Sequence, residues 1–171
     1  MYEPREDSYL LQRNIEHLKG EVAIDMCTGT GIIANTLSKG HSKVIGIDKD
    51  KESIQHAKEN VEDVEFIQHD LFPQRLPPAD TITCNPPYLP LSELKDDELE
   101  SPEKGTYLSK KVLEQAKEIL KPRGSLFLII STQANKDGLL KYANKEGYTY
   151  KKVDEVAAFF EKIQLYEFRH K

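Results

Sequence analysis

Tryptophan is absent from this 171-residue sequence, and cysteine occurs only twice, at Cys27 and Cys84. Two cysteines are too few for the disulfide framework of a small secreted domain, so a reducing, cytoplasmic setting is expected. No apolar run approaches the roughly 20 residues of a membrane-spanning helix, and no membrane partner is expected. Residues 1–7 are charged at once and lack the apolar core of a secretory signal. An excess of basic charge is also missing: 24 Lys and Arg stand against 29 Asp and Glu, a net charge of −5. Doublets such as Lys110-Lys111 and Lys151-Lys152 are scattered among acids. A protein that grips a phosphate backbone gathers its cations into a patch, so a nucleic-acid partner is not expected. What remains is an ordinary globular composition, 38% apolar and 31% charged, on a length suited to one domain covering residues 1–171.

Strand and helix patterns alternate along the chain. Residues 6–18 read as an amphipathic helix, with Leu11, Ile15 and Leu18 along one side and Gly20 closing it. Short apolar runs at 21–26, 43–47, 64–68, 80–84 and 125–131 read as strands. Residues 31–38, 51–60, 108–120 and 134–146 read as helices, the third stopped by Pro122 and Gly124. Residues 89–104 read as a loop. Two further strands, 148–155 and 162–169, follow without an intervening helix and are expected to pair antiparallel. The expected fold is therefore α/β: a single doubly wound, mostly parallel seven-stranded sheet with an antiparallel C-terminal hairpin. Ligands in such sheets bind beyond the carboxyl ends of the strands. That places the loops after Met26, Ile47, Gln68 and Cys84 around the site.

The first of these loops reads Asp25-Met26-Cys27-Thr28-Gly29-Thr30-Gly31. Its glycines permit a tight turn and close backbone approach to a ligand, and the following helix N-terminus points N–H groups at it. The spacing Gly29-x-Gly31-x-x-Ala34 also fits a dinucleotide fingerprint. Asp25 separates the two readings. A carboxylate at the strand end repels a pyrophosphate and attracts the ammonium and sulfonium of S-adenosyl-L-methionine. Asp48 ends the second strand, placed to accept hydrogen bonds from both ribose hydroxyls; Asp50 is better placed to cap the next helix. In His69-Asp70-Leu71-Phe72, Asp70 is a candidate acceptor for the adenine amino group, with Leu71 packing on the ring.

Asn85-Pro86-Pro87-Tyr88, directly after the fourth strand, is the most specific motif. It suits an uncharged planar nitrogen whose delocalised lone pair makes it a poor nucleophile. The Asn85 side-chain oxygen and the Pro86 carbonyl accept from its N–H groups and orient the lone pair. They also favour the positive charge that develops on nitrogen. Pro86 and Pro87 fix the backbone, and Tyr88 offers an aromatic face.

These motifs, with the opening Tyr2-Glu3-Pro4-Arg5-Glu6-Asp7-Ser8, resemble the HemK/PrmC group of protein-glutamine N5-methyltransferases, most closely its archaeal-eukaryotic branch. The resemblance runs over nearly the whole chain, through Leu120-Lys121-Pro122-Arg123-Gly124. It implies a Rossmann-like class I methyltransferase that modifies the Gly-Gly-Gln glutamine of a class I translation release factor. It further implies Ser8 at the methionine end of the cofactor, with an N-terminal helical segment, residues 1–20, covering the cleft. Asp25, Cys27, Thr28, Gly29, Gly31, Asp48, Asp70 and Leu71 would line that cleft, and Asn85 would touch both cofactor and acceptor. A small zinc-containing activator subunit is implied at a sheet edge, where Val64, Phe66 and Ile67 are candidates that equally suit the core. The chain departs from the family pattern at Ser8 (usually Thr), at Cys27 (usually the first glycine), and at Ser101-Pro102-Glu103-Lys104-Gly105, which lacks the Gly-rich, aromatic character of relatives.

Two alternatives are carried. An adenine-N6 or guanine-N2 methyltransferase shares the Asn-Pro-Pro-Tyr chemistry but needs a basic face or a target-recognition domain. A non-catalytic S-adenosylmethionine-binding subunit has no use for the motif. Some relatives accept protein lysine as well. Residues 93–104 hold six acids and two lysines, which suits a basic protein segment better than nucleic acid and equally suits a solvated loop. Cys27 and Cys84 read as small buried residues, and no metal site is expected. His41, His56, His69 and His170 read as surface residues, His17 as a helix-face residue.

Overall fold

The computed structural model describes residues 3–87 and 105–170. The described elements, in chain order, are α1 (Glu6–Ile15), β1 (Gly20–Met26), α2 (Ile32–Ser38), β2 (His41–Asp48), α3 (Lys51–Asn60), β3 (Glu65–Gln68), β4 (Ala79–Cys84), α4 (Tyr107–Ala116), β5 (Leu120–Ser131), α5 (Lys136–Lys145), β6 (Tyr148–Ala158) and β7 (Glu161–His170). The expected loop at 89–104 lies outside the described residues. Among the described residues, no helix is long and apolar enough to cross a membrane.

The seven strands form one sheet in the order β3-β2-β1-β4-β5-β7-β6. The first five pair in parallel, and β7 runs antiparallel to both β5 and β6. The order reverses between β1 and β4, which makes the crevice at their carboxyl ends the topological switch point.

Side-chain alternation sends each central strand into two cores. Ile24, Met26, Ile45, Ile47, Ile82, Leu126 and Leu128 pack with α4 and α5. Ala23, Val44, Phe127 and Ile129 pack with α1, α2 and α3. Covering both faces is why these strands are continuous apolar runs rather than alternating ones. Each fully buried Leu or Ile contributes roughly 1.5–3 kcal/mol from leaving water.

Several element boundaries differ from the sequence expectation. Helix α1 stops at Ile15, where Leu18 N–H turns back to the Ile15 carbonyl at 3.0 Å. Gly20 opens β1 instead of closing the helix; a Cβ there would lie 2.9 Å from that of Asp80, so the tight strand packing requires glycine. Helix α4 ends at Ala116, ahead of Pro122. The Glu118 and Ile119 N–H groups close a tight turn onto Gln115 and Ala116, and Leu120 already pairs with Ala79 as β5. Pro122 and Arg123, the latter at φ 74, sit inside β5 where its register shifts.

Candidate active site

The loop after β1 turns sharply because Cys27, Gly29 and Gly31 all hold positive φ, at 61°, 52° and 83°. Thr28 N–H donates to the Ile47 carbonyl at 3.0 Å, and Gly31 N–H returns to Thr28 at 2.8 Å. The two glycines serve different ends. A Cβ at Gly31 would press on Phe66 at 3.0 Å and Ala57 at 3.2 Å, so glycine there lets the loop pack against α3 and β3. A Cβ at Gly29 would meet nothing within 4 Å. Open space over Gly29 leaves its backbone available for close approach by a ligand.

Asp48, the last residue of β2, is half-buried. Its Oδ2 accepts from Gly29 N–H at 2.9 Å, and its Oδ1 from Asp50 N–H at 2.9 Å. Each oxygen keeps further lone-pair capacity, which fits a ribose diol. The capping role falls to Asp50, whose carboxylate accepts from Glu52 and Ser53 N–H at the start of α3. The Ser53 hydroxyl, donating at 2.6 Å, and these N–H groups hold the Asp50 carboxyl below the usual range. Asp70 is exposed and Leu71 half-buried in the turn after β3, where Leu71 takes φ 63 and packs against the α4–α5 core.

Asp25 is 1% exposed. Its Oδ2 accepts from Thr28 Oγ1 and its Oδ1 from Thr83 Oγ1, both at 2.7 Å; the Ala34 backbone of α2 also bonds to it. Burial outweighs these hydrogen bonds and pushes its pKa up to about 7. The carboxyl thus ties β1, β4 and α2 together beneath the loop. Thr83 escapes a reading of the sequence. The usable signal is a polar residue inside a buried strand, in register with Asp25 across the β1–β4 pair.

Met26 and Cys84 are also in register, so the residues that follow them emerge side by side: Cys27 and Thr28 on one strand, Asn85 and Pro86 on the other. Asn85 is half-buried, Pro86 buried and Pro87 exposed; Tyr88 lies outside the described residues. Cys84 is buried and Cys27 only half-buried. The hydrogen bond with the Cys27 sulfur, reinforced by burial, raises the Cys84 thiol pKa well above its usual value, so it stays a protonated thiol. Ser8, in the first turn of α1, is buried, and its N–H donates to Asp7 Oδ1 at 2.7 Å. Helix α1 meets α2 through Gln12 Nε2, which donates to Thr36 Oγ1 at 3.0 Å.

Two side chains fall elsewhere than expected, His41 and Cys27, the latter half-buried where a buried residue is expected. His41 is buried, bonded to the Leu37 carbonyl at 3.0 Å and Thr81 Oγ1 at 3.1 Å. Phe66 is 6% exposed and belongs to the α1–α3 core, where Gly46 makes room for its ring. Only Val64 and Ile67 of the edge candidates remain half-buried.

The sequence profile of the family described as "Methyltransferase small domain" matches residues 6–157. A protein of Methanocaldococcus jannaschii named for protein N5-glutamine methylation is 37% identical over 106 residues, 59% of this chain and 53% of its own. The release factor glutamine methyltransferase of Borreliella burgdorferi is 32% identical over 146 residues, 75% of this chain and 51% of its own. The chain therefore spans about half the length of these curated relatives. Among solved structures, a chain of the E. cuniculi Mtq2–Trm112 complex, described as responsible for methylation of the eRF1 translation termination factor, superposes with a TM-score of 0.78. That match has 20% identity and covers 99% of this chain and 98% of the other.

Proposed function

The chain belongs to the methyltransferase small domain family, and we propose that it is an S-adenosyl-L-methionine-dependent protein-glutamine N5-methyltransferase. Its proposed substrate is the glutamine of the Gly-Gly-Gln loop of a class I translation release factor. The observation that carries this reading is the register of Met26 with Cys84. It brings the open loop at Gly29 beside Asn85 and Pro86 at the switch point. The names of the relatives, glutamine and release-factor methyltransferases, support the same substrate class.

In this reading Asp48 holds the ribose, Asp70 and Leu71 the adenine, and the backbone of Thr28, Gly29 and Gly31 approaches the methionine portion. Ser8 closes over the methionine end, with the segment 1–20 as the cover of the cleft. Asp25 sets the electrostatics beneath the loop. The cofactor, when bound, supplies an electrophilic methyl group on a sulfonium. The chain's own task is to make an amide nitrogen reactive. The Asn85 side-chain oxygen and the Pro86 carbonyl accept the two amide N–H hydrogens, which turns the lone pair toward the methyl and holds it there. The same two oxygens stabilise positive charge as it develops on nitrogen. The Pro87 ring restricts the backbone rotation of Pro86 before it, keeping the Pro86 carbonyl aimed without later reorganisation. No strong base is required, because the proton leaves after transfer, when the nitrogen is acidic.

The edge strand β3 pairs only with β2 in the described sheet. We assign to that edge a small, zinc-containing activator subunit; the similar Mtq2 fold is likewise found in complex with a second protein, Trm112. The test is transfer of labelled methyl to a purified release factor, with and without such a subunit. Label on the factor supports the reading; label on DNA or RNA instead would move the function to nucleobase methylation.

A further inference from the structure

Phe159 and Phe160 are 101% and 91% exposed, the most exposed large apolar side chains among the described residues. They form the two-residue connection of the β6–β7 hairpin, closed by the pair Ala158 and Glu161. Such connections favour Asn, Asp and Gly, so two phenylalanines serve neither the turn nor the core. Adjacent exposed aromatics of this kind mark contact sites.

The hairpin tip stands at the reactive end of the sheet. Ser131, the last residue of β5, lies opposite Ile163 of β7, and β5 runs parallel to β4, which leads into Asn85. The base of the tip is fixed. Thr132 N–H donates to the Lys162 carbonyl and Lys162 N–H to Thr132 Oγ1, both at 2.9 Å. The Ser131 hydroxyl bonds the Glu161 carboxylate, and Gln133 Nε2 donates to the Phe160 carbonyl at 3.4 Å. Leu128, level with Cys84, is three residues from Ser131, and Phe160 is three residues from Ile163. At about 3.3 Å per residue along the strands and about 4.8 Å between them, the rings stand roughly 20 Å from Asn85. An extended peptide covers that span in about six residues.

The surrounding charge selects the class of partner. Lys152 and Lys162 both pair with Glu155, at 3.0 and 3.4 Å, and Arg13 pairs with Asp154 at 2.7 Å. These three cations are committed to carboxylates, which weakens any attraction for a phosphate backbone or an anionic lipid surface. We propose that the Phe159–Phe160 tip is an apolar docking knob for the protein substrate, gripping a segment about six extended residues from the methyl-accepting side chain. This rests on the protein-methyltransferase reading above.

The test is the double variant Phe159→Ser/Phe160→Ser, assayed with the full-length release factor. Because both rings lie in solvent, the variant is expected to melt as the parent does. The docking role predicts a KM for the factor raised about tenfold or more, with kcat and cofactor affinity unchanged, and rescue by Phe159→Leu/Phe160→Leu. Unchanged KM alongside normal transfer by the parent would overturn the docking role and leave the function reading standing. Loss of kcat and of cofactor affinity with KM unchanged would show a structural role instead. Parent protein that binds anionic vesicles or single-stranded RNA through these rings, with KM for the factor unaffected, would reassign the tip. Failure of the parent to methylate the factor even with the activator subunit supplied would bring down the function reading, and the docking proposal with it.

Discussion

Replacing Asp25 with asparagine removes a carboxyl that the fold holds at a pKa of about 7, raised from 3.8 mainly by burial. The sign follows from proton counting. Between pH 3.8 and 7 the folded protein keeps a proton on Asp25 that the unfolded chain releases, so this residue weakens stability as pH rises through that window. Each pH unit is worth about 1.4 kcal/mol, which gives a ceiling of about 4 kcal/mol above pH 7. Between pH 5 and 8 the expected loss is roughly 2–3 kcal/mol. The substituted amide does not titrate, so the variant lacks this slope. Asp154 and Glu155 have lowered pKa values, chiefly from hydrogen bonds to Asn14 and Gln164. They add stability above their unfolded pKa values and lose it in acid, in both proteins alike. Urea unfolding of the ligand-free protein and the Asp25→Asn variant at pH 5, 6, 7 and 8 isolates the difference. The parent is expected to fall relative to the variant from pH 5 to about 7 and then to level off. A gap constant to within about 0.5 kcal/mol, small against the predicted slope, would refute the assignment of a buried, half-ionised carboxyl.

Four further outcomes follow from the same geometry. A cationic cofactor placed over Asp25 favours its ionised form, so affinity for S-adenosylmethionine should rise with pH between about 6 and 8 with proton release; calorimetry in buffers of different ionisation enthalpy checks this. Asn85→Ala is expected to lower kcat at least about 100-fold, in line with removal of one preorganised hydrogen-bonding group, while leaving the fold intact; retained turnover would exclude its role. Asp48→Ala should weaken cofactor binding about tenfold or more, while costing about 1 kcal/mol of stability through its two backbone N–H partners; equilibrium binding and urea titration separate the two effects. Gly31→Ala forces a Cβ against Phe66 and Ala57 at φ 83, with an expected cost of about 1–3 kcal/mol, whereas Gly29→Ala meets no such contact and should cost less; paired denaturation curves distinguish them.

The legible parts of the sequence are those where one local rule governs. Apolar runs bounded by turns locate the first five strands, and the missing helix between the two mixed polar segments that end the chain signals their antiparallel pairing. The resemblance to the HemK/PrmC group is borne out by the family match and the names of the relatives. Less legible are features set by tertiary contact. His41 reads as a polar surface residue, yet the Leu37 carbonyl and Thr81 hydroxyl satisfy both ring nitrogens and allow its burial. Phe66 reads equally as edge or core, because its burial depends on Gly46 in the neighbouring strand. Pro122 reads as a helix stop; its place inside β5 follows from the register shift opposite Ala79, which one-dimensional periodicity does not contain. Asp25 reads by its charge alone. Its two threonine partners and its burial make it a keystone of the loop as well as an electrostatic element.

The proposed activity faces its sharpest test in methyl transfer from labelled S-adenosylmethionine to a class I release factor, alongside the same factor with its Gly-Gly-Gln glutamine replaced. Label is expected on the unsubstituted factor alone, located by mass spectrometry on the side-chain amide of that glutamine. Equal labelling of both factors, or label found on nucleic acid instead, would contradict a glutamine-directed enzyme.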